Sequence, residues 1–198
     1  MPDSLLHIGS YEAPPLDRRE ILRYAGAREL PREQEALLDA CLAETLPLLS
    51  YKACWRFFPV AEKDGLLDLG FTAVKSASLA ENLKGCSQIL LFAATVGIGT
   101  DRLVAKYGRI SPVKALFCQA IGAERIEALC DAFCSGIEGE CGKLRPRFSP
   151  GYGDLPLEMQ WEIFQVLDCP RRIGLTLTES LLMSPTKSVT AIAGLNPA

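Results

Sequence analysis

Apolar and polar positions along this chain follow a helical period over residues 16–48 and a strand period over residues 53–69. Leu16 to Ala25, with Ile21, Leu22 and Tyr24 on one side, predicts a short helix ending at Gly26. Pro31 opens a longer helix whose apolar side carries Leu37, Leu38, Cys41, Leu42 and Leu48, and Pro47 bends or ends it. Residues 1–50 therefore read as a helical N-terminal part, after an irregular lead-in over residues 1–16. Ala53 to Val60 and Leu66 to Leu69 read as strands around a turn at Lys63-Asp64-Gly65. Ser76 or Ser78 caps a short helix running to Leu83. Gln88 to Val96 is apolar on both faces, the mark of a central strand.

The strand at 88–96 runs into Gly97-Ile98-Gly99-Thr100-Asp101 and a helix to Tyr107. A strand, G-x-G and a helix suggest dinucleotide binding, but position 102 is Arg where the third glycine belongs. With no βαβ repeat behind it, a tight turn is the better reading. Ser111-Pro112 then starts a long helix with an apolar stripe at Val113, Leu116, Phe117, Ala120 and Ile121. After Gly122 the stripe shifts to Ile126, Leu129, Cys130, Phe133 and Ile137, which predicts a kink or register change at that glycine. Glu124 projects opposite the second stripe and Glu127 falls at its edge, so Glu127 is the carboxylate expected half-buried beside a cleft.

Residues 147–193 form the most informative stretch. Arg147 offers a bidentate cationic fork, and Ser149-Pro150-Gly151-Tyr152-Gly153 is a loop able to bring bare N–H groups close to a ligand. Asp154 is a plausible N-cap for a helix with Leu157, Trp161, Phe164, Ile163 and Leu167 as its apolar stripe, ending near Asp168 before Pro170. Beyond Gly174 the period becomes two: Leu175, Leu177, Leu181 and Met183 share a face opposite Thr176, Thr178 and Ser180. A turn at Ser184-Pro185-Thr186-Lys187 leads to a returning strand from Ser188 to Ala193. Glu179 breaks the pattern by falling on the apolar face, where a carboxylate is either a buried structural acceptor or turned to a ligand.

R-x-x-P-G-Y, a helix, then L-T-E-S-x-x-M-x-P and S-V resembles the activation domain of cobalamin-dependent methionine synthase, densely over residues 123–192. The resemblance implies an α/β chain of α+β type, with a mixed or antiparallel twisted sheet and packed helices. It implies a domain that binds S-adenosylmethionine and re-methylates cobalamin oxidised to the cob(II) form. The residues matching in order are Arg147, Pro150, Gly151, Tyr152, Leu177, Thr178, Glu179, Ser180, Met183, Pro185, Ser188 and Val189, and Glu127 matches the family's ligand-binding glutamate. The implied cofactor-binding set is Glu127, Arg147, Ser149, Pro150, Gly151, Tyr152 and Glu179, within a core motif region at 123–193 of a single domain, 1–198.

Two departures qualify the match. Ile192-Ala193-Gly194 stands where longer members carry W-Y-F, so a tyrosine contact to the ligand is missing. The sequence also ends at Ala198, ahead of the family's terminal strand and helix, an omission expected to alter how the cobalamin module docks.

Composition narrows the partners. With 48% hydrophobic and 23% charged residues, net charge −3 and no basic block, nucleic acid is not an expected partner. No apolar run has the length of a membrane span, and MPDSLLHIGSYEAPP lacks the charged lead and apolar core of a signal peptide, so a cytoplasmic protein is expected. The eight cysteines are irregularly spaced and mostly inside apolar runs, where they act as small hydrophobes. Cys130-x3-Cys134-x6-Cys141 fits no iron–sulfur or zinc spacing, and a metal reading of it is the weakest of those considered.

His7 is the only histidine and lies outside any D-x-H-x-x-G context, so the chain offers no lower ligand for cobalamin. Cobalamin is expected only through a partner, a corrinoid-bearing methionine synthase or methyltransferase module, with electrons from a flavodoxin- or ferredoxin-like donor. S-adenosylmethionine needs an arginine for its carboxylate, a carboxylate for its ammonium and a backbone or aromatic slot for adenine; Arg147, Glu127 and Pro150-Gly151-Tyr152 match those needs. No catalytic acid or base and no metal ligand is expected. The leading expectation is an activation subunit serving a separate corrinoid protein. The alternative is a non-catalytic sensing or partner-binding module that keeps the same pocket.

Overall fold

A four-stranded antiparallel sheet carries the molecule, in a computed structural model that describes residues 5–196. In chain order its elements are β1 (His7–Tyr11), α1 (Arg18–Tyr24), α2 (Arg32–Thr45) and β2 (Tyr51–Pro59). Next come β3 (Ala61–Lys63), β4 (Leu66–Asp68), β5 (Ala73–Val74), α3 (Ala77–Asn82) and β6 (Gln88–Thr95). The remainder is α4 (Gly99–Tyr107), α5 (Pro112–Cys141), α6 (Gln160–Leu167), α7 (Cys169–Ile173), β7 (Thr176–Leu177), β8 (Met183–Ser184) and β9 (Ser188–Leu195).

The main sheet has the order β1-β2-β6-β9. The apolar run of β6 is central, as its two-sided hydrophobicity predicts, and both faces are covered. Leu90, Phe92 and Ala94 meet Ile126, Leu129, Cys130 and Phe133 of α5 on one face. Ile89, Leu91 and Ala93 meet Leu79, Ile163, Phe164 and Leu167 of α3 and α6 on the other. A third cluster joins α1, α2, α4 and the first half of α5 through Ile21, Leu38, Leu103, Phe117 and Ile121.

That third cluster explains the shifted stripe of α5. The helix runs unbroken through Gly122, contrary to the expected kink. Its first stripe serves the helical cluster and its second serves the sheet, which lies in a different direction. Gly122 is there for space: a Cβ would sit 2.6 Å from Thr100 Cγ2 and 2.9 Å from the Lys187 stem. Val113 and Leu116, assigned to the stripe, stay largely exposed.

Other expectations need correction. The lead-in contains an edge strand, β1, paired with β2 from His7↔Trp55 to Tyr11↔Tyr51; residues 1–4 lie outside the described ones. The turn at Asp64-Gly65 joins β3 to β4, whereas the strand before it belongs to the main sheet. The G-x-G turn leads into α4 and then to antiparallel pairings only, so there is no parallel crossover to make a dinucleotide site. The strand from Ser188 is β9 of the main sheet, not the return arm of the Leu175 hairpin. That hairpin is only Thr176–Leu177 against Met183–Ser184.

Candidate functional site

The loop after α5 is tied to the open edge of β9. Phe148 and Ile192 exchange both backbone hydrogen bonds at 2.8 Å, and Arg145 N donates to Gly194 O at 2.8 Å. Phe148 is buried on the α6 side of the sheet, whereas Arg147 turns to α5. Beyond it the chain closes on itself: Gly151 N donates to Leu155 O at 2.9 Å and Tyr152 N to Ser149 O at 3.1 Å. Gly151 and Gly153 hold φ of 86° and 58°, left-handed conformations in which side chains are strained. This is the tight, glycine-dependent loop the sequence indicates.

Asp154 does not cap the helix that follows it. Its carboxylate reaches α3, accepting from Ser76 Oγ at 2.5 Å, Ala77 N at 2.7 Å and Ser78 N at 3.1 Å. The Ser76 hydroxyl, helped by those two N–H groups, holds its pKa well below the usual carboxylate range. A carboxyl depressed in the folded state adds stability above its unfolded pKa, near 4, that fades as pH falls toward the folded value. Asp154→Asn is therefore expected to melt below the wild type at neutral pH, with the gap narrowing as the buffer drops below about pH 4. Paired thermal melts across that range check it.

Arg147 meets two carboxylates of α5, one turn apart: Nη2 lies 2.9 Å from Glu127 Oε2 and 3.0 Å from Asp131 Oδ1. Its Nη1 is buried with no hydrogen-bond partner among the described residues. Glu127 is half-exposed, in keeping with its edge position on the stripe. With Asp131 and Glu124 it lines a recess that α1 and the segment before it complete with Asp17, Glu20 and Pro15. The cation and the carboxylate assigned to the two ends of one ligand are thus already in contact. Asp131, absent from the sequence-derived set, is the second partner.

Glu124, projected outward, is instead buried. Its Oε1 accepts from Asp17 N at 3.0 Å, and Arg125 Nε donates to its Oε2 at 2.5 Å. Arg125, 1% exposed, also donates to the carbonyls of Pro14 and Pro15 at 2.6 and 2.8 Å. The segment before α1 covers this flank of α5.

On the other side of the loop a cavity of about 390 Å³ opens along β9. Ser149 and Pro150 of the loop, Leu157 and Gln160 at the head of α6, Leu181–Met183, Thr186 and Ser188–Thr190 line it. Tyr152 is 69% exposed, its ring edge-on to Phe148 at 5.3 Å. Glu179 is exposed at the tip of a turn closed by Thr178 N to Leu182 O at 2.9 Å, and does not line the cavity. The alternation that placed it on an apolar face stops at Leu177, so the reading of a buried acceptor is wrong.

Leu157 and Trp161 are largely exposed; Met159, Ile163, Phe164 and Leu167 form the buried side of this segment. Gln160, 4% exposed, was not anticipated, although it lies three and four residues before Ile163 and Phe164 and so shares their face. Where the family's aromatics would stand there is no room: Ile192 and Ala193 are fully buried, and a Cβ on Gly194 would meet Cys86 Sγ at 2.7 Å.

Cys130 is fully buried, and burial raises its pKa; burial likewise raises Cys134 to about 11, so neither is a thiolate near neutrality. Among the described residues no group of three or more His, Cys, Asp or Glu is placed to hold a metal ion. His7 stacks on Trp55, ring centroids 5.3 Å apart, on the edge strand.

The sequence model of the activation domain of vitamin B12 dependent methionine synthase matches residues 144–198. Among solved structures, the MetH reactivation domain bound to AdoHcy aligns with a TM-score of 0.69 at 17% identity. The alignment covers 97% of this chain and 78% of that one. The chain therefore has the fold of that domain: α+β, with an antiparallel sheet and packed helices. No curated protein matches it. Among the described residues no helix is long and apolar enough to cross a membrane.

Proposed function

We propose that this chain binds S-adenosylmethionine along the 147–152 loop. It would act as an activation subunit for a separate corrinoid-bearing methionine synthase or methyltransferase. The observation that carries this reading is positional: every residue lining the β9 cavity lies inside the segment, 144–198, that matches the activation domain. The AdoHcy bound by the structural neighbour points to the same ligand class.

The residues suit the ligand. Glu127 and Asp131 hold Arg147 Nη2, so the guanidinium that would meet a ligand carboxylate is oriented beforehand. The two acids outnumber the arginine and favour the ammonium and sulfonium charges. Ser149 and Pro150 direct the adenosyl part into the cavity. Bound there, S-adenosylmethionine would supply an electrophilic methyl group to a cobalt(I) corrinoid on the partner and leave as S-adenosylhomocysteine, an outside flavodoxin- or ferredoxin-like donor having first provided the electron that reduces cob(II). The chain's own part is positioning and exclusion of water, which needs no protein acid or base. The corrinoid would stay on the partner, because His7, the sequence's single histidine, is stacked on Trp55 and lies outside any D-x-H-x-x-G context.

Turnover is expected only when corrinoid partner, low-potential reductant and S-adenosylmethionine are all present. Loss of cob(II)alamin absorbance and appearance of methylcobalamin, with each component omitted in turn, test it. Tight binding of S-adenosylmethionine without turnover on any corrinoid partner would instead establish a sensing module. Copurification with cobalamin would overturn the argument from His7.

A further inference from the structure

Gln160 is a buried polar side chain in an otherwise largely apolar cavity. It is the first residue of α6, and its Oε1 accepts from Thr190 Oγ1 of β9 at 2.9 Å. That bond fixes one end of the carboxamide. The other end, Nε2, makes no hydrogen bond within the described protein and is not sealed off, because Gln160 lines the cavity. Water or a ligand entering the cavity can therefore meet that donor.

The wall beside it offers matching groups. Because Ile192 exchanges both its backbone bonds with Phe148 on the outer edge, antiparallel alternation turns the N–H and C=O of Thr190 and Ser188 to the same edge. The loop leaves β9 after Phe148, and among the described residues no backbone group pairs with them. Leu157, Leu182 and Met183 give apolar walls, and the volume is of small-ligand size. A flat heterocycle with donors and acceptors along one edge fits such a slot. A glutamine carboxamide pairs with the N6/N7 edge of adenine in particular, Nε2 donating to N7 while Oε1 uses its second lone pair to accept from the N6 amine.

We propose that Gln160 is the specificity residue for the base of an adenosyl ligand, held in register by Thr190 and reading the adenine edge. This rests on the assignment of the cavity to S-adenosylmethionine and adds what selects the base. The probes are S-adenosylhomocysteine, S-inosylhomocysteine, in which the exocyclic amine is replaced by a carbonyl, and adenosine alone. The wild type is expected to prefer the adenosyl over the inosyl compound. Gln160→Leu is expected to weaken the adenosyl compound roughly tenfold and to erase most of that preference.

Gln160→Glu is isosteric, keeps the acceptor for Thr190 and replaces the donor; it serves if the leucine variant fails to fold. A purely structural glutamine would lower affinity for both compounds equally, leaving their ratio unchanged in a folded variant, and that result overturns the proposal alone. Adenosine binding that depends on Gln160, with no binding of S-adenosylmethionine, would remove the parent assignment and keep this one. No binding of any of the three by the wild type overturns both.

Discussion

Arg125→Ala is expected to cost roughly 3–5 kcal/mol of stability, the range for removing one partner of a buried ion pair. For a chain of this size that corresponds to a fall in melting temperature of about 6–20 °C. Three acceptors lose their donor at once: the Glu124 carboxylate and the carbonyls of Pro14 and Pro15. Glu124 would remain buried with only Asp17 N to answer it. The segment leading into α1 would lose its anchor to α5. The joint replacement Glu124→Leu with Arg125→Met should cost less than the single change, because no uncompensated charge stays inside. Thermal melts of the two variants decide it; equal losses would mean the charge pair matters no more than the packing.

The second large effect falls on ligand binding. Arg147→Ala should weaken S-adenosylmethionine by about 10- to 100-fold, equivalent to roughly 1.5–3 kcal/mol for a charge-assisted contact. Stability should change little, because Glu127 and Asp131 are exposed enough to be solvated when the arginine is gone. The contrast with Arg125 is the useful part: one arginine holds the fold and the other is held ready by it. Unchanged affinity in a folded Arg147→Ala protein would remove Arg147 from the site.

Where periodicity is long and uninterrupted, the chain could be read directly. The apolar run of β6, the end of α1 near Gly26, the start of α2 after Pro31, the Ser76 cap of α3 and the glycine loop at 151–153 all follow from local pattern. What escaped depends on segments far away in sequence. Glu124 projects to solvent on an isolated helix, and only the strap around Pro14–Asp17, more than 100 residues away, buries it. Asp154 has the look of a local N-cap, but the turn geometry turns it to α3. Gly122 signalled a kink when its reason was the approach of Thr100 and Lys187. Glu179 misled for another reason: two-residue alternation was extended past the point where the chain reverses at Thr178.

The candidate site was legible in part. The loop at Ser149, Pro150 and Gly151 was legible because proline fixes its own φ and glycine alone enters the positive-φ turn at little cost. The contact between Arg147 and Glu127 was not foreseen, since the two residues were assigned to opposite ends of one ligand. Gln160 carried a signal that was passed over, a polar residue on the buried face of an apolar helix.

The most direct measurement is a calorimetric titration of the full chain with S-adenosylmethionine, with S-adenosylhomocysteine as comparison. Saturable one-to-one binding is predicted, tighter for S-adenosylmethionine, because its extra positive charge meets the surplus negative charge of Glu127 and Asp131 around Arg147. A folded protein that gives no saturable heat with either compound would contradict the account.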